Sequence, residues 1–479
     1  MSGLSREAKQ GFRRAAVAMA VCALVLAMGA LSAQQQAPPP SAPEPQQPGA
    51  GEQVHTGTTS GIDADQRIQN LLADHQFLRV EGLLGQLPAD EAQLYRGILA
   101  NRSNDLKTSI RLLEPLVAPV AASGNIAHEK LLRKALAEDY MRSGDMAKAA
   151  DAYRMLAIRL QGHLSADEEY EIEMPLKMLP LAAANPPTTA EPCDAFSLIV
   201  AKNPLGLIDV PVFVDARSHS WMLDPTAPFN LIARSVAKAA GLKVSAVSAT
   251  IHTLTGRPIE VHATVIPRFT LGGRLTLRNV TAFVFEDADY FFPRTQFQVE
   301  GVLGYPALSA VASLTVTSDD TIQVTPLIQV QPDSRDNQEA EAAQGARFFF
   351  DGDQMIVALG KPGKAGSERM YVVDAGGQQT YLTSRYYDEH SGDFAGQRME
   401  LFSIPGPQSP PPQPAYLTET APLEVGPNTV HIHYIQVLTQ PLGAAALDDV
   451  YGVLGVDALD QLKAYTFDYR KMRFSVKPE

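Results

Sequence analysis

The amino-acid sequence predicts a multidomain protein of the α + all-β class, in which an N-terminal helical-repeat domain precedes two duplicated β-barrel lobes. Its 479 residues suffice for about three domains. Apolar residues recur with helical spacing from residue 61 to 180, and from Phe196 onward they alternate with the period of two that is typical of strands. The two β-rich stretches also share one succession of short motifs, which predicts that a β-domain occurs twice.

The charge and cysteine content exclude several classes of function. The formal net charge is −13, and an acidic surface repels polyanions, so we expect no nucleic acid partner. Apolar residues make up 45% and charged residues 19% of the chain, a composition typical of globular proteins. Cys22 and Cys193 are too few for a disulfide scaffold or a four-cysteine zinc site.

The first 33 residues have the pattern of a secretory signal peptide. Arg13 and Arg14 precede an uninterrupted run of apolar and small residues from 15 to 33, and the small residues at its end favour cleavage. The run of 19 residues is also close to membrane-spanning length, so an uncleaved anchor is the alternative. We therefore expect a secreted or periplasmic protein, which contacts a membrane only through residues 15–33 if these are retained. Residues 34–60, rich in Pro and Gln, are predicted to form a disordered linker.

Residues 61–180 are predicted to form a helical domain with two similar helix-turn-helix units. The turns are expected at Asn104-Asp105 and at Gly144-Asp145, an offset of 40 residues. The units resemble degenerate tetratricopeptide repeats, which implies a protein partner on the helical surface. The alternative is an ordinary helical bundle that serves as a spacer or a pro-segment.

The β-rich part is predicted to comprise a first lobe at 196–331, a linker at 332–345 and a second lobe at 346–479. Runs of Val, Ile, Phe and Thr between Gly, Pro and Asn, such as Leu275 to Phe285, predict the strands. In each lobe a strand ends on an aspartate, Asp224 or Asp374, and the residues that follow, 229–234 and 380–385, are compatible with a helix.

Each lobe closes with a glycine box, a Gly-Val-Leu-Gly sequence that ends at Gly304 in the first lobe and at Gly455 in the second. Asp224 precedes Gly304 by 80 residues and Asp374 precedes Gly455 by 81, while the offsets between the lobes are 150 and 151. Several elements in one order at a nearly constant offset predict an internal duplication.

An aspartate after a strand, a short helix and a glycine box some 80 residues later resemble the retropepsin-like aspartic peptidases, in the two-lobe arrangement of pepsin. The resemblance covers residues 196–479. In that family the aspartate belongs to an Asp-Thr-Gly or Asp-Ser-Gly motif, whose hydroxyl reaches across to the other lobe and whose glycine admits backbone amides to the carboxylate. This chain has Asp224-Pro225-Thr226-Ala227 and Asp374-Ala375-Gly376-Gly377, so both copies depart from the motif.

The resemblance implies hydrolysis of peptide bonds by a water that lies between Asp224 and Asp374, which are the expected catalytic residues. Two close carboxylates share one proton, so one acts as a base toward the water while the other donates a proton to the carbonyl. Thr226, Gly376 and Gly377 are expected in substrate binding. The expected substrate is a peptide or protein, and no metal or cofactor is expected.

The departures from the motif leave a second interpretation open. Pro225 replaces the hydroxyl residue and removes an amide donor, and Ala375 carries no hydroxyl. Fewer donors around a charged pair cost transition-state stabilisation. The alternative is therefore a non-catalytic envelope protein that binds peptide in a decayed peptidase fold, with the helical repeats as a scaffold.

Overall fold

The computed structural model describes residues 59–477 apart from 255, 328–344, 361–365, 405–410, 443–446 and 448. These residues belong to one compact unit, Gly57–Glu479. The predicted signal segment and most of the two predicted linkers lie outside the described residues. None of the helices in the described part of the chain has both the length and the apolar composition that a membrane crossing requires.

The described chain begins with a helical region that starts at Thr59, two residues inside the predicted linker. The helix-turn-helix pairs fall where the sequence predicts them, and Asp105 and Asp145 cap the second helix of each pair by accepting backbone N–H groups. Their assignment as tetratricopeptide repeats stays a prediction. The helices are α1 (Thr59–Ala73), α2 (Phe77–Val80), α3 (Ala89–Arg102), α4 (Leu106–Leu113), α5 (Val117–Ser123), α6 (Ile126–Arg142), α7 (Met146–Arg159) and α8 (Ala166–Ala183).

The remainder of the described chain is rich in strands. The strands up to residue 326 are β1 (Thr189–Ala190), β2 (Phe196–Ile199), β3 (Ala201–Lys202), β4 (Ile208–Val214), β5 (Arg217–Leu223), β6 (Leu231–Ala233), β7 (Val244–His252), β8 (Pro258–Leu271), β9 (Leu275–Phe285), β10 (Phe291–Phe292), β11 (Phe297–Gln298), β12 (Gly301–Leu303), β13 (Val311–Thr317) and β14 (Thr321–Pro326). Two short helices accompany them, α9 (Arg234–Ala239) and α10 (Tyr305–Leu308).

The second group of strands starts after the predicted linker. These strands are β15 (Ala346–Asp351), β16 (Gln354–Leu359), β17 (Arg369–Val373), β18 (Tyr381–Leu382), β19 (Glu400–Phe402), β20 (Gln413–Val425), β21 (Asn428–Leu438), β22 (Gly452–Leu454), β23 (Ala464–Asp468) and β24 (Arg473–Lys477). Helices α11 (Ser384–His390) and α12 (Val456–Leu459) lie among them.

Strand pairing follows the same order in the two halves of the β-rich part. In the first half β5 pairs antiparallel with β4 and parallel with β12, and β12 pairs antiparallel with β6. In the second half β17 pairs antiparallel with β16 and parallel with β22, and β22 pairs antiparallel with β18. Asp224 and Asp374 therefore follow strands, β5 and β17, that have equivalent neighbours in the two halves.

One sheet runs from the first half into the second. β13 of the first half pairs antiparallel with β23 of the second, with Ser313 opposite Asp468 and Thr317 opposite Ala464. The 13-stranded sheet that results has the order β19-β20-β21-β18-β22-β17-β16-β15-β24-β23-β13-β14-β2. The two halves are thus joined by backbone hydrogen bonds as well as by apolar contacts.

The segments after the two aspartates differ from the sequence prediction of a helix. Leu231–Ala233 and Tyr381–Leu382 are strands, and the helices begin only at Arg234 and Ser384. Tertiary interactions make these segments strands, because each pairs with the glycine-box strand of its own half. Such pairing overrides the local preference of the chain.

The helical region packs on the β-rich part through apolar and charged contacts. The ring of Phe77 lies 5.2 Å from that of Phe349, and both side chains are buried. Asp351, at the end of β15, accepts from His75 Nε2 at 2.7 Å and pairs with an Arg102 guanidinium nitrogen at 3.3 Å. These contacts attach the helices to the second half.

Candidate active site

Asp224 and Asp374 occupy equivalent places at the carboxyl ends of β5 and β17. The backbone N–H of Asp224 donates to Leu303 O at 3.1 Å, and that of Asp374 donates to Leu454 O at 2.9 Å. The glycine-box strands therefore extend the pairing of each strand up to the aspartate.

The first glycine box lies so close to its neighbours that a side chain would not fit. A Cβ at Gly301 would lie 2.4 Å from the Trp221 ring, and one at Gly304 would lie 2.2 Å from Phe229 O. Trp221 is fully buried on β5. The glycines thus let β12 approach the strand that carries Asp224.

The loops after the two aspartates meet at the site. A Cβ at Gly376, two residues after Asp374, would lie 2.9 Å from Asp224 Oδ2, and one at Gly377 would lie 2.2 Å from Asp374 Oδ2. Both aspartates are partly exposed. The structure therefore brings Asp224, Asp374, Gly376 and Gly377 together, with the space beside both glycines taken by carboxylates.

Backbone amides at matching positions hold the two carboxylates. Asp224 Oδ1 accepts from the N–H groups of Thr226 at 3.4 Å and Ala227 at 3.2 Å. Gly376 and Gly377, likewise two and three residues after their aspartate, donate backbone hydrogen bonds to Asp374. The N–H that Pro225 lacks is one residue after the aspartate and is not among these donors.

Thr226 supplies a hydroxyl that crosses between the halves. Its Oγ1 donates to Val373 O, the residue before Asp374, at 2.6 Å, and the side chain is buried. The sequence places Pro225 where the family has its hydroxyl residue, and the structure provides that hydroxyl from the next position. Ala375, in the other half, offers none.

The pKa values of both aspartates are raised. Burial raises the pKa of Asp224 to about 6, although hydrogen bonds from Thr226 and Ala227 oppose the shift. Burial, and then the negative charge of Asp224, raise the pKa of Asp374 to about 8. Because a negative charge is costly at both positions, the pair holds a proton to a higher pH than two isolated carboxyl groups would.

Two tyrosines that interact with the site carry no signal in the sequence. Tyr469 Oη donates to Pro225 O at 3.0 Å. Burial raises the pKa of Tyr290, and the charges of Asp224 and Asp374 raise it further. No short-range motif signals either residue, because both lie far from the aspartates in the sequence and depend on tertiary packing for their positions.

Among the described residues, no group of three or more His, Cys, Asp or Glu side chains is arranged to hold a metal ion. The expectation that the site uses no metal or cofactor stays a prediction.

A known protein family matches part of the first half. An aspartyl protease family model matches residues 210–307, which include Asp224 and the first glycine box. A retropepsin-like aspartic protease from Rickettsia conorii is 16% identical with a TM-score of 0.21, over 28% of this chain and 94% of that chain. Conglutin gamma, a basic 7S globulin from lupine seeds, is 10% identical with a TM-score of 0.36, over 60% of this chain and 96% of that one. No functionally curated protein matches the chain.

The family match supports the predicted resemblance to aspartic peptidases over residues 210–307. Asp374 and the helical region lie outside the matched residues. For Asp374, the supporting observations are the pairing of β17 with β22 and the closeness of Gly376 to Asp224.

Proposed function

We propose that this protein is an aspartic peptidase that hydrolyses peptide bonds with a water shared by Asp224 and Asp374. The proposal depends mainly on the positions of the two aspartates, one from each half. Each aspartate follows a strand that pairs in parallel with the glycine-box strand of its own half. The loop of one lies against the carboxylate of the other.

The two carboxylates take different roles in the proposed mechanism. We assign the shared proton to Asp374, whose pKa is raised by burial and by the charge of Asp224, and the role of base to Asp224. Asp224 takes a proton from the water as its oxygen attacks the carbonyl carbon of the substrate, and Asp374 donates its proton to the carbonyl oxygen. The proton on Asp224 then passes to the leaving nitrogen as the C–N bond breaks. Asp374 takes a proton back from a hydroxyl of the intermediate, which becomes the product carboxyl group, so the pair again holds one proton.

The proposal includes the origin and location of the molecule. We propose that the two halves of the β-rich part are duplicated lobes and that residues 1–33 direct export to the periplasm or the exterior, by cleavage or as an anchor. The helical pairs, as degenerate tetratricopeptide repeats, present a surface to a protein partner. The equal order of strand pairing in the halves supports the duplication.

A non-catalytic peptide-binding protein is the second candidate. The observation that favours it is that the hydroxyl contact between the halves is one-sided, since Thr226 donates to Val373 O and Ala375 has no hydroxyl to return the contact. A one-sided contact fixes the two carboxylates less firmly. In this candidate the same site binds peptide without cleaving it.

The experiment compares the purified mature protein with Asp224→Asn and Asp374→Asn on an unfolded protein substrate from about pH 3 to 9. We expect cleavage that is greatest near neutral pH, is blocked by a statine-type inhibitor and falls at least about 10³-fold in each variant. Asp388→Asn, at an exposed position, is the matched control and should retain full activity.

Absence of cleavage at every pH, together with retained peptide binding, would contradict the peptidase and support the second candidate. Cleavage that survives in either site variant would contradict the shared-water mechanism.

A further inference from the structure

Resting on the proposed function, we infer that Asn104 of the helical region is a positioning residue for the loop that carries Asp224, and that it acts through Tyr305. The helical region is then an integral part of the peptidase. It is neither a pro-segment that must be removed nor a detached recruiting module.

Tyr305 contacts the helical region and the active-site loop at once. Asn104 Nδ2 donates to Tyr305 Oη at 3.0 Å, and the backbone N–H of Tyr305 donates to Ala227 O at 2.9 Å. Ala227 is one of the two residues whose N–H groups hold Asp224 Oδ1. A displacement of Tyr305 would therefore move Ala227, and with it an N–H donor of the Asp224 carboxylate.

A second set of contacts joins the same elements through aromatic rings. The Tyr305 ring lies 5.5 Å from that of Tyr469, whose hydroxyl donates to Pro225 O at 3.0 Å. The Tyr305 ring also lies 5.2 Å from the Phe350 ring, and the Arg142 guanidinium of helix α6 lies 4.4 Å from the centre of the Phe350 ring. Tilted ring pairs and a cation over a ring each contribute to packing. The Asp224 loop is thus supported from the helices at two points.

The second half of the β-rich part lacks this connection. Val456 follows the glycine box there, as Tyr305 does in the first half, and its N–H donates to Gly377 O at 2.9 Å. The backbone contact to the active-site loop is therefore present in both halves, but valine has no hydroxyl. The hydroxyl of Tyr305 is an addition to the common architecture at the position where the helices touch.

The two corresponding turns of the helical region also differ, because only one of them carries a side chain. Asn104 has a φ of 59° and Gly144, at the corresponding turn, has a φ of 83°. Glycine is the residue that adopts this region without strain. Asparagine at 104 therefore adds a side chain at a turn that functions with glycine elsewhere, and that side chain contacts Tyr305.

The test uses the full chain and two variants that keep the fold. Asn104→Gly removes the amide from a turn that glycine suits, and Tyr305→Phe removes a single oxygen. Tyr140→Phe is the matched control, since it removes a phenol hydrogen bond to Glu114 that lies within the helical region. Asn104→Asp restores a hydrogen bond, because a carboxylate accepts from the Tyr305 hydroxyl.

We expect Asn104→Gly and Tyr305→Phe each to lower kcat about tenfold with KM unchanged, since misplacement of reacting groups reduces the rate. The double variant should lose no more than either single variant, because both remove one contact. Asn104→Asp should recover most of the activity, and Tyr140→Phe should match the unaltered protein. Unaltered kcat in both single variants, or losses that multiply in the double variant, would overturn the inference.

A second readout separates this inference from the proposed function. The pH titration of the Asp224 carboxyl, followed by ¹³C NMR, should shift in Asn104→Gly and not in Tyr140→Phe. If the unaltered protein hydrolyses nothing but the shift occurs, the peptidase proposal fails and the positioning role stands. If hydrolysis occurs and the titration is unaffected, the positioning role is wrong.

Discussion

Single side chains determine whether the two carboxylates can act as a pair. Thr226 joins the loop of Asp224 to the strand that ends at Asp374, and Gly376 leaves room for the carboxylate of Asp224. At this scale the departures from the family motif matter less than the sequence suggests. The hydroxyl that Pro225 cannot supply comes from Thr226. The N–H that Pro225 lacks is not needed, because Asp224 accepts from the N–H groups of Thr226 and Ala227.

Thr226→Val tests the hydroxyl that crosses between the halves. Valine has nearly the same shape but leaves Val373 O without this donor, so we expect a loss of about 1–3 kcal/mol in the free energy of unfolding and a lower kcat. Denaturant unfolding and hydrolysis rates measure the two effects. Thr264→Val is the control, because Thr264 is buried and donates to Lys243 O at 3.0 Å within the first half.

The control should lose similar stability without loss of activity. Equal activity losses in the two variants would contradict a specific role for Thr226.

Asp374→Asn should change how stability depends on pH. The pKa of Asp374 is raised in the folded protein, so the stability associated with its protonated form is complete below the ordinary carboxyl pKa and is lost as pH rises through about 8. Asparagine cannot ionise. We therefore expect a similar Tm for the variant and the unaltered protein near pH 4, and a higher Tm for the variant near pH 9.

Thermal unfolding at a series of pH values measures the difference, with Asp388→Asn as a control that should follow the unaltered protein. Curves of Tm against pH that run parallel for Asp374→Asn and the unaltered protein would contradict a raised pKa of Asp374.

At the scale of elements, the sequence predicts the long strands well and the short ones poorly. Leu275 to Phe285 is predicted as a strand and is observed with those bounds, because its alternation and flanking residues are local signals. Leu231–Ala233 and Tyr381–Leu382 become strands through their pairing with the glycine-box strands, which no local pattern records. The glycine boxes themselves are visible in the sequence because their spacing recurs.

Some residues of the candidate site have a signal in the sequence and others do not. Asp224 and Asp374 are predicted from the sequence because one pattern of residues occurs at each. Tyr305, Tyr469 and Asn104 could not be predicted, because they approach the site by tertiary packing and occur in one half or outside both.

Gly301→Ala tests the close approach of the glycine-box strand to β5. The added Cβ would lie 2.4 Å from the Trp221 ring, so we expect a loss of about 1–3 kcal/mol of stability from overpacking. Trp221 is the only tryptophan in the chain, so its fluorescence reports the displacement directly. Gly85→Ala is the control, since nothing lies within 4 Å of a Cβ there, and an unchanged spectrum in Gly301→Ala would contradict the packing.

At the scale of the whole molecule, helices and strands depend on each other. The helical region contacts the second half through Phe77 and Phe349, and it contacts the first half through Tyr170, which stacks on His252 at 4.3 Å and donates to Thr250 O at 2.9 Å. A region that contacts both halves links their positions. The helices and the β-rich part should therefore behave as one cooperative structure.

We expect a single thermal transition for the chain. Circular dichroism of the helices and fluorescence of Trp221, in the core of the first half, should report the same midpoint, since cooperative unfolding makes different probes coincide. Calorimetry provides the third probe. A helical transition well below that of Trp221 would contradict the interdependence and favour a detachable helical region.

The central claim is that Asp224 and Asp374 share one proton, and the most direct measurement is the ¹³C NMR titration of their carboxyl carbons in the unaltered protein, in Asp224→Asn and in Asp374→Asn. We predict that both pKa values are raised in the unaltered protein and that the pKa of Asp374 falls in Asp224→Asn, because the neighbouring charge is gone. Two carboxyls that titrate near pH 4, each indifferent to substitution of the other, would contradict the claim.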